Sequence, residues 1–304
     1  MLLDSVSDIP RGGWLDRHVP RRLRPYARLM RLDRPIGTWL LLFPCWWSLA
    51  LAWRGWEDFW LFALFAIGAV VMRGAGCTYN DICDKNFDAQ VARTRDRPLP
   101  SGEVSTLRAW LFLAMQLVIG LLILLALPPF AVVVGATSLV LVFTYPLMKR
   151  ITFWPQLFLG FAFNWGALLG WAAIAGPLTA PPILLYLGGI FWTLGYDTIY
   201  AHQDKRDDPA AGVKSTALRL LFVSRPWIAV FYVATVAFFA LSGIADGLSW
   251  PFVVGLAAGA AQLAWQIWDV DLDDPRDCLA KFRSNRLFGW LVLAGILADQ
   301  WFRG

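Results

Sequence analysis

Residues 59–88 read FWLFALFAIGAVVMRGAGCTYNDICDKNFD. Residues 59–80 are almost all apolar, a length that crosses a hydrocarbon core of roughly 30 Å as a helix. The run ends in Asn80-Asp81-Ile82-Cys83-Asp84-Lys85-Asn86-Phe87-Asp88, where carboxylates at i, i+3 and i+7 share one helical face. An echo follows at Asp197-Thr198-Ile199-Tyr200-Ala201-His202-Gln203-Asp204-Lys205-Arg206-Asp207-Asp208, again closing an apolar run. A constant offset of 120 residues maps Asp84 and Asp88 onto Asp204 and Asp208. So many carboxylates on one face repel each other unless a cation bridges them. Hard oxygen ligands of this kind suit Mg²⁺, which is usually held by a few carboxylates together with substrate phosphates. Two such faces opposite each other would clamp a diphosphate.

Working outward, 58% of the 304 residues are hydrophobic and 16% charged, with mean hydropathy +0.53, which excludes an ordinary soluble domain. Apolar runs recur at about 35–53, 59–80, 108–127, 130–148, 155–175, 181–201, 227–245, 250–268 and 287–302. An open sheet edge cannot sit in lipid, so the expected fold is all-α. It is a polytopic membrane protein of nine transmembrane helices in one bundle. Residues 1–34 form an interfacial N-terminal segment and 35–304 the membrane domain. Alternating through nine spans puts 25 of the 27 Lys and Arg on the N-terminal side, leaving Arg54 and Arg303 opposite. The positive-inside rule then makes the N-terminus cytoplasmic. The formal charge of +5 is therefore a topology signal, and no nucleic-acid partner is expected. Spans two and six end in the two acidic clusters, each followed by a basic loop and a Ser-Thr re-entry (Ser105-Thr106, Ser215-Thr216). This is an internal four-helix repeat, with both serines as helix N-caps. The segment 269–286, with five Asp and Pro275, reads as a solvated loop.

Cys45, Cys77, Cys83 and Cys278 lack paired spacing and read as reduced thiols. With only His18 and His202 the chain is not expected to hold zinc. Residues 1–34 carry Asp4, Asp8, Asp16 and Asp33 and no apolar core, against a signal or transit peptide. A bacterial inner (cytoplasmic) membrane is expected, ahead of a mitochondrial inner membrane.

Buried ionisable groups in a span are costly and mark function. Asp197 lies almost two turns inside span six, on the face of Asp204. Arg73 lies two turns inside span two and needs an anionic partner, an aspartate or a substrate carboxylate. Lys149 and Arg150, in the loop Tyr145-Pro146-Leu147-Met148-Lys149-Arg150, and Arg93, Arg95 and Arg97 are further cations for phosphate. These parts support ionisation of an allylic diphosphate assisted by Mg²⁺. The allylic cation would be held against aromatic faces such as Tyr145, and a ring proton would pass to Asp197. Water must be excluded, or the cation is hydrolysed.

The motifs Asn80-Asp81-x-x-Asp84-x-x-x-Asp88 and Asp204-x-x-x-Asp208 resemble the signatures of the UbiA superfamily of intramembrane prenyltransferases. Further likeness lies in Arg31-Leu32-Asp33-Arg34-Pro35-Ile36-Gly37-Thr38-Trp39, Met72-Arg73-Gly74-Ala75-Gly76-Cys77 and Arg95-Asp96-Arg97-Pro98-Leu99-Pro100-Ser101-Gly102. It continues in Tyr145–Arg150, Phe163-Asn164-Trp165-Gly166-Ala167-Leu168 and Lys281-Phe282-Arg283-Ser284-Asn285, so it spans residues 31 to about 290. Within the superfamily the chain most resembles the branch acting on 4-hydroxybenzoate in ubiquinone biosynthesis. The resemblance implies nine helices around a cavity, two Mg²⁺ ions, and transfer of a polyprenyl group from polyprenyl diphosphate to the ring carbon ortho to the hydroxyl. Asp81, Asp84, Asp88, Asp204 and Asp208 become the expected metal ligands, and Asp197, Tyr145, Lys149 and Arg150 the catalytic groups. Arg73, Asn80, Arg34, Asn164, Arg93 and Lys205 become the substrate-binding set. A UbiA-type enzyme with another aromatic or quinone-precursor acceptor is the alternative. A secondary transporter fits poorly, because transporters bind near the midplane whereas these carboxylates gather at one face.

Overall fold

The computed structural model describes residues 9–10, 12–90, 94–206, 208–209 and 212–303. Among these there is no strand. In chain order the α-helices are α1 (Trp14–His18), α2 (Arg24–Leu29), α3 (Ile36–Ala52), α4 (Phe59–Asp88), α5 (Thr106–Leu125), α6 (Pro129–Ile151) and α7 (Pro155–Asn164). They continue as α8 (Gly166–Ile174), α9 (Ala180–Ala201), α10 (Thr216–Leu220), α11 (Ser224–Ala245), α12 (Trp250–Asp269) and α13 (Pro275–Arg303). Five helical segments are long and apolar enough to cross a membrane: Trp56–Asp88, Thr106–Leu125, Pro129–Ile151, Pro155–Ile174 and Thr216–Ala245. Their outer faces are apolar too, as in the exposed Leu107, Leu111, Met115, Val118 and Leu122 of α5. Water would penalise such a stripe and lipid does not.

Three segments differ from the sequence reading. Tyr145–Arg150 is helical rather than a loop, forming the end of α6 with Pro146 inside it. The acidic loop ends at Asp274, because Asp274 Oδ1 accepts from the Arg276 amide (2.8 Å) and Pro275 opens α13. An acidic N-cap followed by proline at the first helical position is a strong helix start. Finally, α9 stops at Ala201, so Asp204 and Asp208 lie in the turns beyond it and do not share a helical face with Asp197. Both re-entry serines cap as expected: Ser105 Oγ accepts from Arg108 N and Ser215 Oγ from Leu218 N, each at 3.3 Å.

The chain forms two compact units, Met1–Thr38 with Ala66–Ala126, and Trp39–Phe65 with Leu127–Gly304. In the first, Leu29, Leu99, Val104 and Ala109 make a core onto which Tyr26, Ile82 and Phe112 pack. Leu99 carries the segment after α4 into that core. In the second, the fully buried Trp47 meets Trp192, Phe239 and Phe288, and its Nε1 donates to the Gly289 carbonyl at 2.9 Å. Backbones of α12 and α13 touch at Gly255 and Gly295, where a Cβ on Gly255 would fall 2.6 Å from the Gly295 Cα. Only glycine permits that approach.

Candidate active site

In the first unit the acidic end of α4 turns inward. Asp81 is 0%, Asp84 1% and Asp88 9% exposed, on the shared face that their spacing requires. Two arginines offset this charge. Arg31 Nη2 donates to Asp81 Oδ1 at 2.6 Å, and Arg97 Nη1 reaches Asp88 Oδ2 at 2.9 Å and Asp81 Oδ1 at 3.4 Å. Removing a carboxylate from water costs several kcal/mol unless such partners are present. The other oxygen of Asp81, Oδ2, is buried with no hydrogen-bond partner. This orphaned hard oxygen beside Asp84 and Asp88 fits a divalent cation. No three His, Cys, Asp or Glu among the described residues of either unit cage a metal by themselves. A cation on this face would need phosphate oxygens to complete its shell, as Mg²⁺ commonly does.

The arginines are placed by local structure. Arg31 follows α2 with φ 58°, its amide donating to the Arg28 carbonyl (2.9 Å) and that of Leu32 to the Ala27 carbonyl (3.1 Å). This is a Schellman turn whose left-handed position usually holds glycine. An arginine there accepts backbone strain, and its side chain is the one on Asp81. Arg97 is held by the segment after α4: Thr94 Oγ1 donates to the Asp88 carbonyl (2.9 Å), Arg97 N to the Thr94 carbonyl (3.0 Å) and Val104 N to the Pro98 carbonyl (2.9 Å). Sequence reasoning placed Arg97 among phosphate-screening cations and gave Arg31 no role. The signal that would have found both is the need of a buried carboxylate face for nearby guanidinium. Arg95 instead sits exposed beside Asp96, and Arg93 lies outside the described residues.

Farther up α4, the Arg73 guanidinium covers Gly37, where a Cβ would lie 2.6–2.9 Å from three of its atoms. Next to Arg73, Gly74 faces Gln116 of α5, a buried amide with neither polar atom hydrogen-bonded. Nothing in the sequence marked Gln116. Arg34 pairs with its neighbour Asp33 at 3.4 Å, and Asn80 is half-buried just before Asp81.

In the second unit Asp197 is half-buried on α9. One turn on, Tyr200 packs on Phe282 with ring centroids 4.6 Å apart. Asp204 and Asp208 are half-buried and joined by a backbone bond, Asp208 N to the Asp204 carbonyl, at 2.9 Å. Lys205 is spent on structure: Nζ donates to the Leu272 carbonyl (2.8 Å) and to Asp273, holding the Asp273 carboxyl below the usual carboxylate range. Asn164 uses its donor end, Nδ2 giving to the Gly160 carbonyl (2.9 Å) and Thr193 Oγ1 (2.8 Å), while its buried Oδ1 has no hydrogen-bond partner. Tyr145, Lys149 and Arg150 occupy the last two turns of α6. Just beyond α9, burial, reinforced by the Lys205 charge, pushes the His202 imidazole down to about 4. Its Nε2 meets Ser224 Oγ at 2.9 Å.

The model of the UbiA prenyltransferase family matches residues 41–292. The mitochondrial 4-hydroxybenzoate polyprenyltransferase of Arabidopsis thaliana is 50% identical over 299 residues, 97% of this chain and 73% of that protein. The Homo sapiens enzyme of the same name is 51% identical over 287 residues, 93% of this chain and 77% of its own length. Among solved structures, the apo UbiA homolog from Aeropyrum pernix K1 superposes with TM-score 0.73 at 26% identity, covering 86% of this chain and 98% of that one. A UbiA homolog from Archaeoglobus fulgidus bound to GPP and Mg²⁺ gives 0.64 at 16% identity, over 90% of this chain and 99% of that one, a likeness of fold. The chain belongs to the UbiA prenyltransferase family, a class of helical membrane proteins. The expectation of a bacterial inner membrane is corrected by these relatives, which are mitochondrial proteins. The acidic residues of the N-terminal segment, on which it rested, do not discriminate between the two membranes.

Two outcomes follow for stability. Arg31→Ala strands a buried carboxylate and is expected to cost about 3 kcal/mol, the lower end for a broken buried pair because Arg97 still reaches Asp81. Adding Asp81→Asn should recover most of it in a thermal-unfolding cycle, whereas additive losses would deny the coupling. His202 has a folded pKa below its unfolded value of 6.5, so the unfolded chain takes up a proton that the fold refuses. Its contribution is complete above that value and is lost as pH falls from about 6.5 toward 4. Between pH 7 and pH 5 the wild type should lose up to roughly 2 kcal/mol more than His202→Asn. Parallel pH profiles of melting temperature would contradict it.

Proposed function

We propose that this protein transfers a polyprenyl group from a polyprenyl diphosphate to 4-hydroxybenzoate, ortho to the hydroxyl, releasing diphosphate in ubiquinone biosynthesis. The observation that carries it is the buried carboxylate face of α4 with its orphaned Asp81 oxygen. The half-identity to plant and human enzymes with this acceptor supports the choice of substrate. Asp81, Asp84 and Asp88 would hold Mg²⁺, with Asp204 and Asp208 as the second acidic set in the same reaction. When bound, the metal neutralises diphosphate charge and makes it a better leaving group. Nine spans, an internal four-helix repeat, a cytoplasmic-type basic face at the N-terminus and a mitochondrial membrane complete the reading. The segment 1–34 precedes the membrane domain 35–304.

Arg31 and Arg97 fix the rotamers of Asp81 and Asp88, so these ligands do not have to be reordered during the reaction. Lys149 and Arg150, with Asn80 and Arg93, receive diphosphate charge. The bond between prenyl carbon and diphosphate oxygen breaks with its electron pair leaving on the diphosphate. Tyr145 offers an aromatic face to the allylic cation. A ring π pair forms the new carbon–carbon bond, and Asp197 takes the displaced ring proton. Arg73 pairs with the acceptor carboxylate, with Arg34 supporting that end. Asn164 and Lys205, whose donors are already used, support the fold around the site.

Mass spectrometry of purified protein supplied with 4-hydroxybenzoate, prenyl diphosphates of graded length and Mg²⁺ should yield the prenylated acid and diphosphate, and nothing with chelator. Arg73→Ala should raise the acceptor KM about tenfold or more while the prenyl diphosphate KM stays within about twofold, a loss of roughly 1.4 kcal/mol per tenfold. Prenylation of other aromatics with 4-hydroxybenzoate left untouched would overturn the acceptor. Equal effects on both KM values would overturn the role of Arg73.

A further inference from the structure

Within the second unit, a groove of about 300 Å³ is lined by Trp39, Arg283, Ser284, Arg286, Leu287 and Trp290. Its two tryptophans belong to an aromatic cluster. Trp290 lies 5.4 Å from Trp39, 5.5 Å from Phe43 and 5.7 Å from Trp46, centroid to centroid. Its outer side is open, with Leu287 53% and Trp290 40% exposed. The groove straddles a sharp change of composition in α13. The first three turns carry Arg276, Asp277, Lys281, Arg283 and Arg286, and an apolar run then begins at Leu287. On the proposed nine-span reading, in which α13 crosses the membrane, that change marks the level of the lipid headgroups.

The two arginines stand at i and i+3, on one face of the helix. Neither makes an ion pair or hydrogen bond with another described residue. Their neighbours differ. Lys281 is satisfied by Asp269 and Asp277, each at 2.7 Å, and Arg303 by Asp299 at 2.9 Å. The acidic groups close at hand are thus already taken by Lys281, and Ser284 is engaged with Gln262 and Gln266 of α12. Two unspent guanidiniums over an aromatic, outward-open groove complement an anion joined to an apolar chain. Guanidinium is well matched to phosphate oxygens. Basic pockets between helices at headgroup level are where acidic lipids bind.

We propose that this groove is a binding site for an anionic phospholipid, its phosphate between Arg283 and Arg286 and an acyl chain along Leu287, Trp39 and Trp290. The groove has no lining residue in common with the acidic motifs, and the proposal stands whether or not the proposed acceptor is correct.

The test is native mass spectrometry of protein taken from bilayers of equal phosphatidylglycerol and phosphatidylcholine with the same acyl chains. Wild type should keep phosphatidylglycerol through delipidation and release phosphatidylcholine. Arg283→Gln/Arg286→Gln should keep at least fivefold less, and Arg283→Lys/Arg286→Lys an intermediate amount. Both sites are exposed, and a monodisperse elution profile checks the fold. Arg108→Gln, an exposed arginine on α5, should behave as wild type. Equal retention by the double glutamine variant, equal loss in Arg108→Gln, or phosphatidylcholine held as firmly would each overturn the site. Displacement of the bound lipid by geranylgeranyl diphosphate would assign the groove to an isoprenoid instead and overturn it too.

Discussion

A carboxylate taken out of water must find positive charge, and this constraint organises the first unit. Three aspartates on one face of α4 are almost wholly buried. Without partners that face would be too costly to fold. Arg31 and Arg97 supply the partners from either side in sequence, one from the turn after α2 and the other from the segment after α4. The strained backbone at Arg31 and the burial of Leu99 both serve to hold those guanidiniums in place. The compensation is incomplete by one oxygen, Asp81 Oδ2, and that incompleteness gives the face its capacity for a further cation.

The second unit meets a different demand, close packing of helices that gain little from hydrophobic association in lipid. Trp47 and its ring neighbours fill the interior, while glycines such as Gly255 and Gly295 bring backbones into contact. The turns beyond α9 are pinned by polar bonds. Lys205 holds the Leu272 carbonyl, and Arg225 holds the carbonyls of Trp268 (3.2 Å) and Val270 (2.6 Å). Lys205 therefore acts as a strut for the segment carrying Asp204, a role indistinguishable in sequence from a phosphate-binding lysine.

What was legible depended on range. Helical periodicity and length are local, so each apolar run is helical, though 155–175 divides into α7 and α8, and the i, i+3, i+7 spacing of Asp81, Asp84 and Asp88 put them on one buried face. The serine caps at 105 and 215 were legible for the same reason. The start of α13 was written in Asp274-Pro275 but masked by the charge around it. The pairing of Arg31 with Asp81 crosses fifty residues and depends on a left-handed turn that arginine does not advertise. Gln116 beside Gly74 and Gly37 beneath Arg73 likewise became visible only once α3, α4 and α5 were in space.

The central claim is that the α4 carboxylates take up a divalent cation together with diphosphate. Calorimetric titration of Mn²⁺ into protein saturated with a non-hydrolysable prenyl diphosphate analogue tests it without any turnover. Wild type should bind Mn²⁺ far more tightly with the analogue than without it, and Asp84→Asn should lose that gain while keeping a native melting profile. Mn²⁺ affinity unchanged by Asp84→Asn, or indifferent to the analogue, would contradict the account.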